Sequence, residues 1–430
     1  DVAIAFAGGA IAATLTVSGG PLASWTAAGT LGDPNSVTFT NTANGDVTPN
    51  LLPTTSGKAA PTVATPILTT NGTAGSALEI ESMTNNGTLE LTGVIAGSTT
   101  VKMKDATGTA DTLNIKLNGI ANTVNTGTLT VAGVETININ ATDSKVDTVT
   151  LTNPSAVSKI NLVAVDATKI VVAGNHGVDF TGSTLTKVTT LDASGVVATG
   201  ATATATAAQI ATAGAVTFTS VVTDKAVTVT TGNGNDTINL ASVTDATKGS
   251  STVTTGAGND IITGTAGKDV INAGDGNDTI YATGSADTIT LGAGNDTYVL
   301  GAATNSVLAK ADKITDFSAN TKAMGTTAAD IAKGATTTAA DLTGDTINVS
   351  AAITLAGAAT TGISVYVAAN ASDAQTFLQN TGTAGTMTGF ALDSSTGNLY
   401  LDFDSNGTVD SVIQLTGVTT ITEAAFVTGL

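Results

Sequence analysis

Thr255 to Val299 reads TGAGNDIIT GTAGKDVIN AGDGNDTIY ATGSADTIT LGAGNDTYV. Asp260, Asp269, Asp278, Asp287 and Asp296 recur every nine residues. An isoleucine follows two places after each of the first four, at Ile262, Ile271, Ile280 and Ile289, and Tyr298 takes that place in the fifth. Self-similarity at a fixed short period marks a repeat architecture in which each unit stacks on the next.

Each unit divides into a turn and a strand. Six residues of Gly, Asn and Asp make a turn whose backbone angles glycine supplies at little steric cost. Three residues of strand follow, with the apolar one facing inward. Two units close one coil of about 18 residues, so aspartates two units apart share an edge. Asp260, Asp278 and Asp296 fall on one edge, and Asp269 and Asp287 on the other. Calcium is a hard cation that takes six to eight oxygens. Stacked turns offer it carboxylates together with carbonyls exposed by Gly256, Gly258, Gly274, Gly276, Gly292 and Gly294. The pattern therefore predicts a calcium-binding parallel β-roll, with Ca2+ as its cofactor. The first edge carries Gly-x-Gly-Asn-Asp three times and is expected to hold two sites. The second is degraded by Lys268 before Asp269 and by Thr283-Gly284-Ser285-Ala286 before Asp287, and is expected to hold at most one.

A further copy, Gly232-Asn-Gly234-Asn-Asp236-Thr-Ile238, lies 24 residues before Asp260, which is not a multiple of nine. Leu240 to Val253 is thus read as an insertion or a coil of different length, with Asp236 as another candidate ligand. The block over about 231–300 resembles the RTX repeats of proteins exported by type I secretion systems.

The 430 residues suffice for two to four domains. Net charge is −19, and all fifteen cationic side chains are Lys. No basic patch exists to neutralise phosphates, so no nucleic-acid partner is expected. Cysteine is absent, so metals rather than disulfides are the expected staples. Aromatics are 3%, while Gly, Ala, Thr and Val dominate. Small and β-branched residues suit short stacked strands around a narrow core. No run of eighteen apolar residues appears, so no membrane span is expected. The apolar start over 2–13 lacks a basic n-region and does not read as a signal peptide. A chain opening at Asp1 reads as a mature or trimmed product, with an N-terminal portion missing.

The expected fold class is all-β: a parallel β-solenoid and calcium β-roll, with an N-terminal β-domain and a mixed, mainly β C-terminal region. Residues 1–70 hold most of the prolines and are read as a small β-domain with a proline-punctuated linker. Residues 71–118 are strands, read as a separate region or as the first solenoid coils. Residues 119–230 are read as solenoid, because evenly spaced alternating runs lead without a break into the roll. Residues 231–302 are the roll, and 303–430 a β-rich C-terminal region with a secretion signal. In that region Ser372-Asp-Ala-Gln375 reads as a capping-box helix start through Leu378, and Thr338-Ala-Ala-Asp341 as a weaker one. Asp402-Phe-Asp404-Ser-Asn406-Gly407 has the start of an EF-hand loop, with Asp402, Asp404 and Asn406 as candidate calcium ligands. Ile413 stands where that loop needs its closing acid. Asn406-Gly407 is also a strong hairpin signal.

A Thr/Ala/Gly-rich solenoid, then RTX coils, then LDFDSNGTVDSVIQLTGVTTITEAAF is similar to the surface-layer proteins of alphaproteobacterial cells, over roughly 100–430. The resemblance implies a secreted, extracellular structural protein at the cell surface. It also implies calcium-driven folding and self-assembly into a two-dimensional lattice, and an uncleaved C-terminus that serves secretion. Its partners would be copies of itself and cell-surface polysaccharide. A calcium-dependent filament or matrix adhesin is the alternative, with the apolar start at 2–17 as a donated strand. An enzyme is not expected. The single histidine, His176, rules out HExxH, and no Gly-x-Ser-x-Gly elbow occurs.

Overall fold

The computed structural model describes residues 85–92, 97–103, 105–119, 124–143, 157–198, 212–247, 249–301, 306–318, 345–348, 363–381, 388–404, 406–421 and 426–427. It also describes the backbone of six strands ahead of these and of Ala77–Met83. The chain divides into two compact units, residues 1–222 with 229–235, and residues 223–228 with 236–430.

In the first unit, Gly87–Thr92, Thr112–Gly119, Thr136–Asp143, Lys169–Gly174 and Thr190–Val196 form one parallel sheet. Ala77–Met83, Ser98–Met103, Asn125–Ala132, Ser158–Val163, Val178–Asp179 and Thr217–Thr219 form a second. The chain visits the two sheets alternately, so two strands make one coil. Period-two alternation sets the register. Leu113, Ile115 and Leu117 point inward while Asn114 and Lys116 face out, and Ile115, Ile139 and Val172 stack in one fully enclosed column. Burying each such side chain is worth about 1.5–3 kcal/mol. Outside, Asn138 Nδ2 donates to Asn114 Oδ1 at 2.9 Å, tying neighbouring coils.

Parallel coiling begins well before residue 119, since Ser36–Asn41, Thr65–Thr70 and Gly87–Thr92 already pair in parallel. Antiparallel pairing is confined to Val2–Phe6 with Ala13–Val17 and Trp25–Ala28 with Ser36–Asn41 among the described strands of this unit. Val2–Phe6 pairs with Ala13–Val17 and Pro49–Asn50 of its own chain.

In the second unit, Thr237–Asn239, Ile261–Thr263, Thr279–Ala282, Thr297–Leu300, Thr346–Asn348 and Phe426–Val427 make one parallel sheet. Thr252–Thr254, Val270–Asp275, Thr288–Ala293, Asp312–Ile314 and Ser411–Leu415 make the other. Each sheet sends a continuous column inward: Ile238, Ile262, Ile280, Tyr298, Ile347 and Phe426 from the first, and Val253, Ile271, Ile289, Ile314 and Leu415 from the second. All are at most 8% exposed. Val253 pairs with Ile271, so residues 240–251 are the wide turn of a longer coil and the register is kept.

Three further strands extend the second sheet. Asn398–Asp402 lies antiparallel to both Ser411–Leu415 and Thr388–Asp393, and Ile363–Ala368 lies parallel to Thr388–Asp393. The helix Ala371–Thr381 buries Ala374 and Leu378 against Ala368, Ala391, Tyr400 and Val412. Its cap is Asn370 rather than Ser372. Asn370 Oδ1 accepts from the Asp373 N–H at 3.1 Å, and Asn370 Nδ2 donates to Asp373 Oδ2 at 3.0 Å. The cap thus falls two residues earlier, with one backbone N–H satisfied by the Asn370 side chain and a side-chain bond from Asn370 to Asp373 beside it. The second expected helix start, at Thr338–Asp341, lies outside the described residues.

Candidate metal centre

The turn before each aspartate is held open by glycine. Gly276 has φ +144°, and a Cβ there would stand 1.7 Å from the Gly258 carbonyl oxygen of the coil below. The chain can stack at this spacing only where no side chain intervenes. Gly256, Gly258, Gly274, Gly292 and Gly294 share the positive-φ conformation. Beside them the asparagines form a ladder: Asn277 N–H donates to Asn259 Oδ1, and Asn295 N–H to Asn277 Oδ1, both at 2.8 Å.

The aspartates form two longer ladders, one per edge. On the first, the backbone N–H of each donates to Oδ1 of the next: Asp236 to Asp260 at 2.7 Å, Asp260 to Asp278 and Asp278 to Asp296 at 2.8 Å, and Asp296 to Asp345 at 3.2 Å. On the second, Ser251 donates to Asp269 at 2.8 Å, and Asp269 to Asp287 and Asp287 to Asp312 at 2.9 Å. Asp236 is therefore in register despite its 24-residue offset. All eight aspartates are at most 1% exposed.

One carboxylate oxygen per rung is thus accounted for. The other is not: Oδ2 of Asp260, Asp278, Asp296 and Asp287 is buried without a hydrogen-bond partner. Burial is the main cause of the raised pKa values here. It pushes Asp260 up to about 6, and Asp278 and Asp296 up to about 7. Asp287 is pushed up to about 9 by burial and then by the neighbouring Asp312. A stripped, unpartnered carboxylate oxygen is costly unless something cationic takes it up. A hard divalent cation with a preference for carboxylate and carbonyl oxygen fits this donor set.

Asp269 is the exception. Its Oδ2 accepts from the Thr265 N–H and its Oδ1 from the Thr265 hydroxyl, both at 2.6 Å. Thr265, not the exposed Lys268, is what closes this rung. Ahead of Asp287, by contrast, the Thr283 and Ser285 hydroxyls donate to backbone carbonyls of Thr265 and Ala266. They leave the Asp287 oxygen unpartnered, so the two aspartates of the second edge differ.

Calcium-binding repeats are also what comparison with known families finds: the RTX calcium-binding nonapeptide repeat (4 copies) matches over 245–280, 263–298 and 272–307. These coils are RTX calcium-binding nonapeptide repeats. RTX nonapeptide repeats bind Ca2+, and they are typical of extracellular proteins. No curated protein matches the chain. The model match starts beyond Asp236, yet the ladder carries the RTX geometry through Asp236 at one end and Asp312 and Asp345 at the other.

Asp312 and Asp345 were not singled out by the nine-residue period, because they follow the preceding rung by 25 and 49 residues. A different signal marks them. Asp312-Lys-Ile314 and Asp345-Thr-Ile347 both repeat the Asp-x-Ile unit of the RTX strands. Their second oxygens are taken, Asp312 Oδ2 by the Tyr298 hydroxyl and Asp345 Oδ2 by the Ser318 N–H, each at 2.6 Å.

The loop at 402–410 follows a different plan. Leu401 pairs with Ser411, so the hairpin turns through nine residues rather than through Asn406-Gly407 alone. Asp402, Asp404 and Asp410 each place a carboxylate oxygen within 4.8 Å of the others. Asn406, expected as a ligand, donates from Nδ2 to Asp404 Oδ2 and accepts the Thr408 N–H at Oδ1, both at 2.7 Å.

His176 is buried in the first unit, with Nε2 2.7 Å from Ser158 Oγ and Nδ1 3.4 Å from Asn175 Oδ1. Ser158 is fully enclosed and its Oγ accepts the Val124 N–H, so this pair knits adjacent coils and offers no hydroxyl to a substrate. No described helix is long and apolar enough to cross a membrane.

Proposed function

We propose that this is a non-enzymatic, secreted surface-layer protein whose RTX roll folds on calcium outside the cell, after which copies assemble into a two-dimensional lattice. The observation that carries the calcium switch is the set of buried, unpartnered Oδ2 atoms on Asp260, Asp278, Asp287 and Asp296. In calcium-poor cytosol these carboxylates must either bind protons or leave the stack. Outside, cations take their place. With a Kd near ~0.1 mM per site, calcium at ~1–10 mM stabilises the fold by roughly 1.4–2.7 kcal/mol per site. The ligands are Asp260, Asp278 and Asp296 on one edge and Asp287 on the other, with carbonyls from Gly256, Gly258, Gly274, Gly276, Gly292 and Gly294. Asp236 closes the first edge, and Asp269 contributes through its ladder bond.

The lattice reading is supported by the order of parts and by charge. Copies at −19 repel one another unless divalent ions neutralise and bridge them. Secretion by a type I system and attachment to surface polysaccharide belong to the same reading. Electron microscopy of the purified protein across a calcium titration tests it. Planar arrays above a calcium threshold are the expected result. Fibres would favour an adhesin or matrix filament, and monomers at high protein and calcium concentrations would overturn assembly.

A further inference from the structure

We propose that the hairpin loop Asp402–Asp410 is a separate calcium site, outside the repeats, with Asp402, Asp404 and Asp410 as its carboxylate ligands. This inference does not depend on the lattice reading.

Spacing is the first argument. Oxygens bound to one calcium at about 2.4 Å lie at most about 4.8 Å apart. The three carboxylates meet that limit. Among the described residues the ion pairs are Lys116–Glu90 and Lys187–Asp166, so none places a lysine on this trio.

An enclosed oxygen is the second, independent argument. Asp402 is fully buried, and its Oδ1 has no hydrogen-bond partner. Its Oδ2 accepts the Gly407 N–H at 2.9 Å, which fixes the carboxylate toward the loop. Burial, followed by the neighbouring acids, raises its pKa to about 6. An apolar contact or a spare solvated acid would not need to be held this way. A cation would take up the orphaned oxygen and relieve the repulsion together.

The loop is also held open for an ion by its own backbone. Phe403 N–H donates to Asp410 Oδ2 at 2.7 Å, and Asn406 N–H to Asp404 Oδ1 at 3.1 Å. Gly407 has φ +82°, and a Cβ there would stand 3.1 Å from Gln379 Cα on the helix Ala371–Thr381. The loop is thus seated on that helix. Asn406 acts as a spacer that orients Asp404, and Asp410, at the ninth loop position, is the third acid.

The consequence reaches the roll. Asp410 leads directly into Ser411–Leu415, which pairs in parallel with Asp312–Ile314. Ser306 Oγ bonds the Val412 carbonyl and accepts the Asp312 N–H, and Ser411 Oγ donates to the Ser306 carbonyl. An ion in the loop therefore fixes the strand that covers the last rung of the second edge.

Calcium stoichiometry measured by equilibrium dialysis on the full chain tests the site. Asp410→Asn keeps the acceptor for Phe403 N–H and is expected to lose one ion per chain. Asp404→Asn, at an exposed residue with little risk to folding, is expected to lose the same ion. Asp278→Asn serves as the marker for the roll. If both loop variants bind as many ions as the unaltered protein while Asp278→Asn binds fewer, the loop site is overturned and the roll sites stand. If the loop variants lose an ion and Asp278→Asn loses none, the loop stands and the roll assignment fails.

Discussion

The Tyr298 hydroxyl donates to Asp312 Oδ2 at 2.6 Å, from the inward column of one sheet to the terminal rung of the opposite edge. Both side chains are fully enclosed. The Asp-x-Ile repeat places isoleucine at this position four times, and the fifth unit replaces it with a residue that can span the core and end in a donor. Where Asp260, Asp278, Asp287 and Asp296 leave an oxygen for a cation, Asp312 has its second oxygen filled by protein.

Tyr298→Phe removes that donor and leaves a buried carboxylate oxygen orphaned. A loss of about 1–3 kcal/mol is expected, seen as a lower melting temperature by circular dichroism in both calcium and EGTA. A loss seen only in calcium would contradict the assignment.

The rungs should differ in their response to calcium. Asp278→Ala removes an unpartnered oxygen and is expected to raise the calcium midpoint of folding. Asp269→Ala removes a carboxylate already held by Ser251 and Thr265, so it is expected to lower stability about equally with and without calcium. Calcium titrations and melts in EGTA separate the two; identical midpoint shifts would refute the distinction.

Stacking tolerates no side chain at Gly276. Gly276→Ala meets the Gly258 carbonyl oxygen at 1.7 Å and is expected to abolish the calcium-dependent transition or cost more than about 3 kcal/mol. Gly417→Ala is the control. It also has positive φ, +79°, but nothing lies within 4 Å, so only the backbone penalty of about 1–2 kcal/mol applies. Equal losses would show that backbone conformation alone matters.

Acidity should act with opposite sign in the two calcium conditions. Burial raises the folded pKa of Asp260 to about 6, of Asp278 and Asp296 to about 7 and of Asp287 to about 9. The folded, calcium-free roll then holds protons that the unfolded chain has released. Its stability is highest near pH 4 and is lost as pH climbs toward about 9. Protons compete with calcium for the same oxygens, so calcium affinity rises over that range. Melts in EGTA should fall from pH 5 to pH 8, while calcium midpoints should improve. A pH-independent midpoint would refute proton competition.

Much of the roll was legible as written. Inward Ile262, Ile271, Ile280 and Ile289 and the assignment of aspartates to two edges follow from a period of nine, because equal turns force equal register. The alternation over Leu113–Leu117 likewise shows which face of the solenoid is buried. The solenoid's early onset was harder to see, since parallel pairing at Ser36–Asn41 and Thr65–Thr70 joins strands by turns of unequal length.

The linear order of residues was enough to specify a calcium-binding stack: Asp-x-Ile after a glycine turn makes a rung wherever it occurs, for reasons local to a few residues. Which rungs keep an oxygen for the ion was settled by packing in three dimensions. Thr265 closes Asp269, Tyr298 closes Asp312 and Ser318 closes Asp345, while Asp287 stays open. Thr265 lies in the same turn as Asp269, four residues before it, whereas Tyr298 and Ser318 reach Asp312 and Asp345 from 14 and 27 residues away, at separations no fixed period encodes. Asp410 joins Asp402 for the same reason: a hairpin brings its two ends together, and distance along the chain does not report that closure.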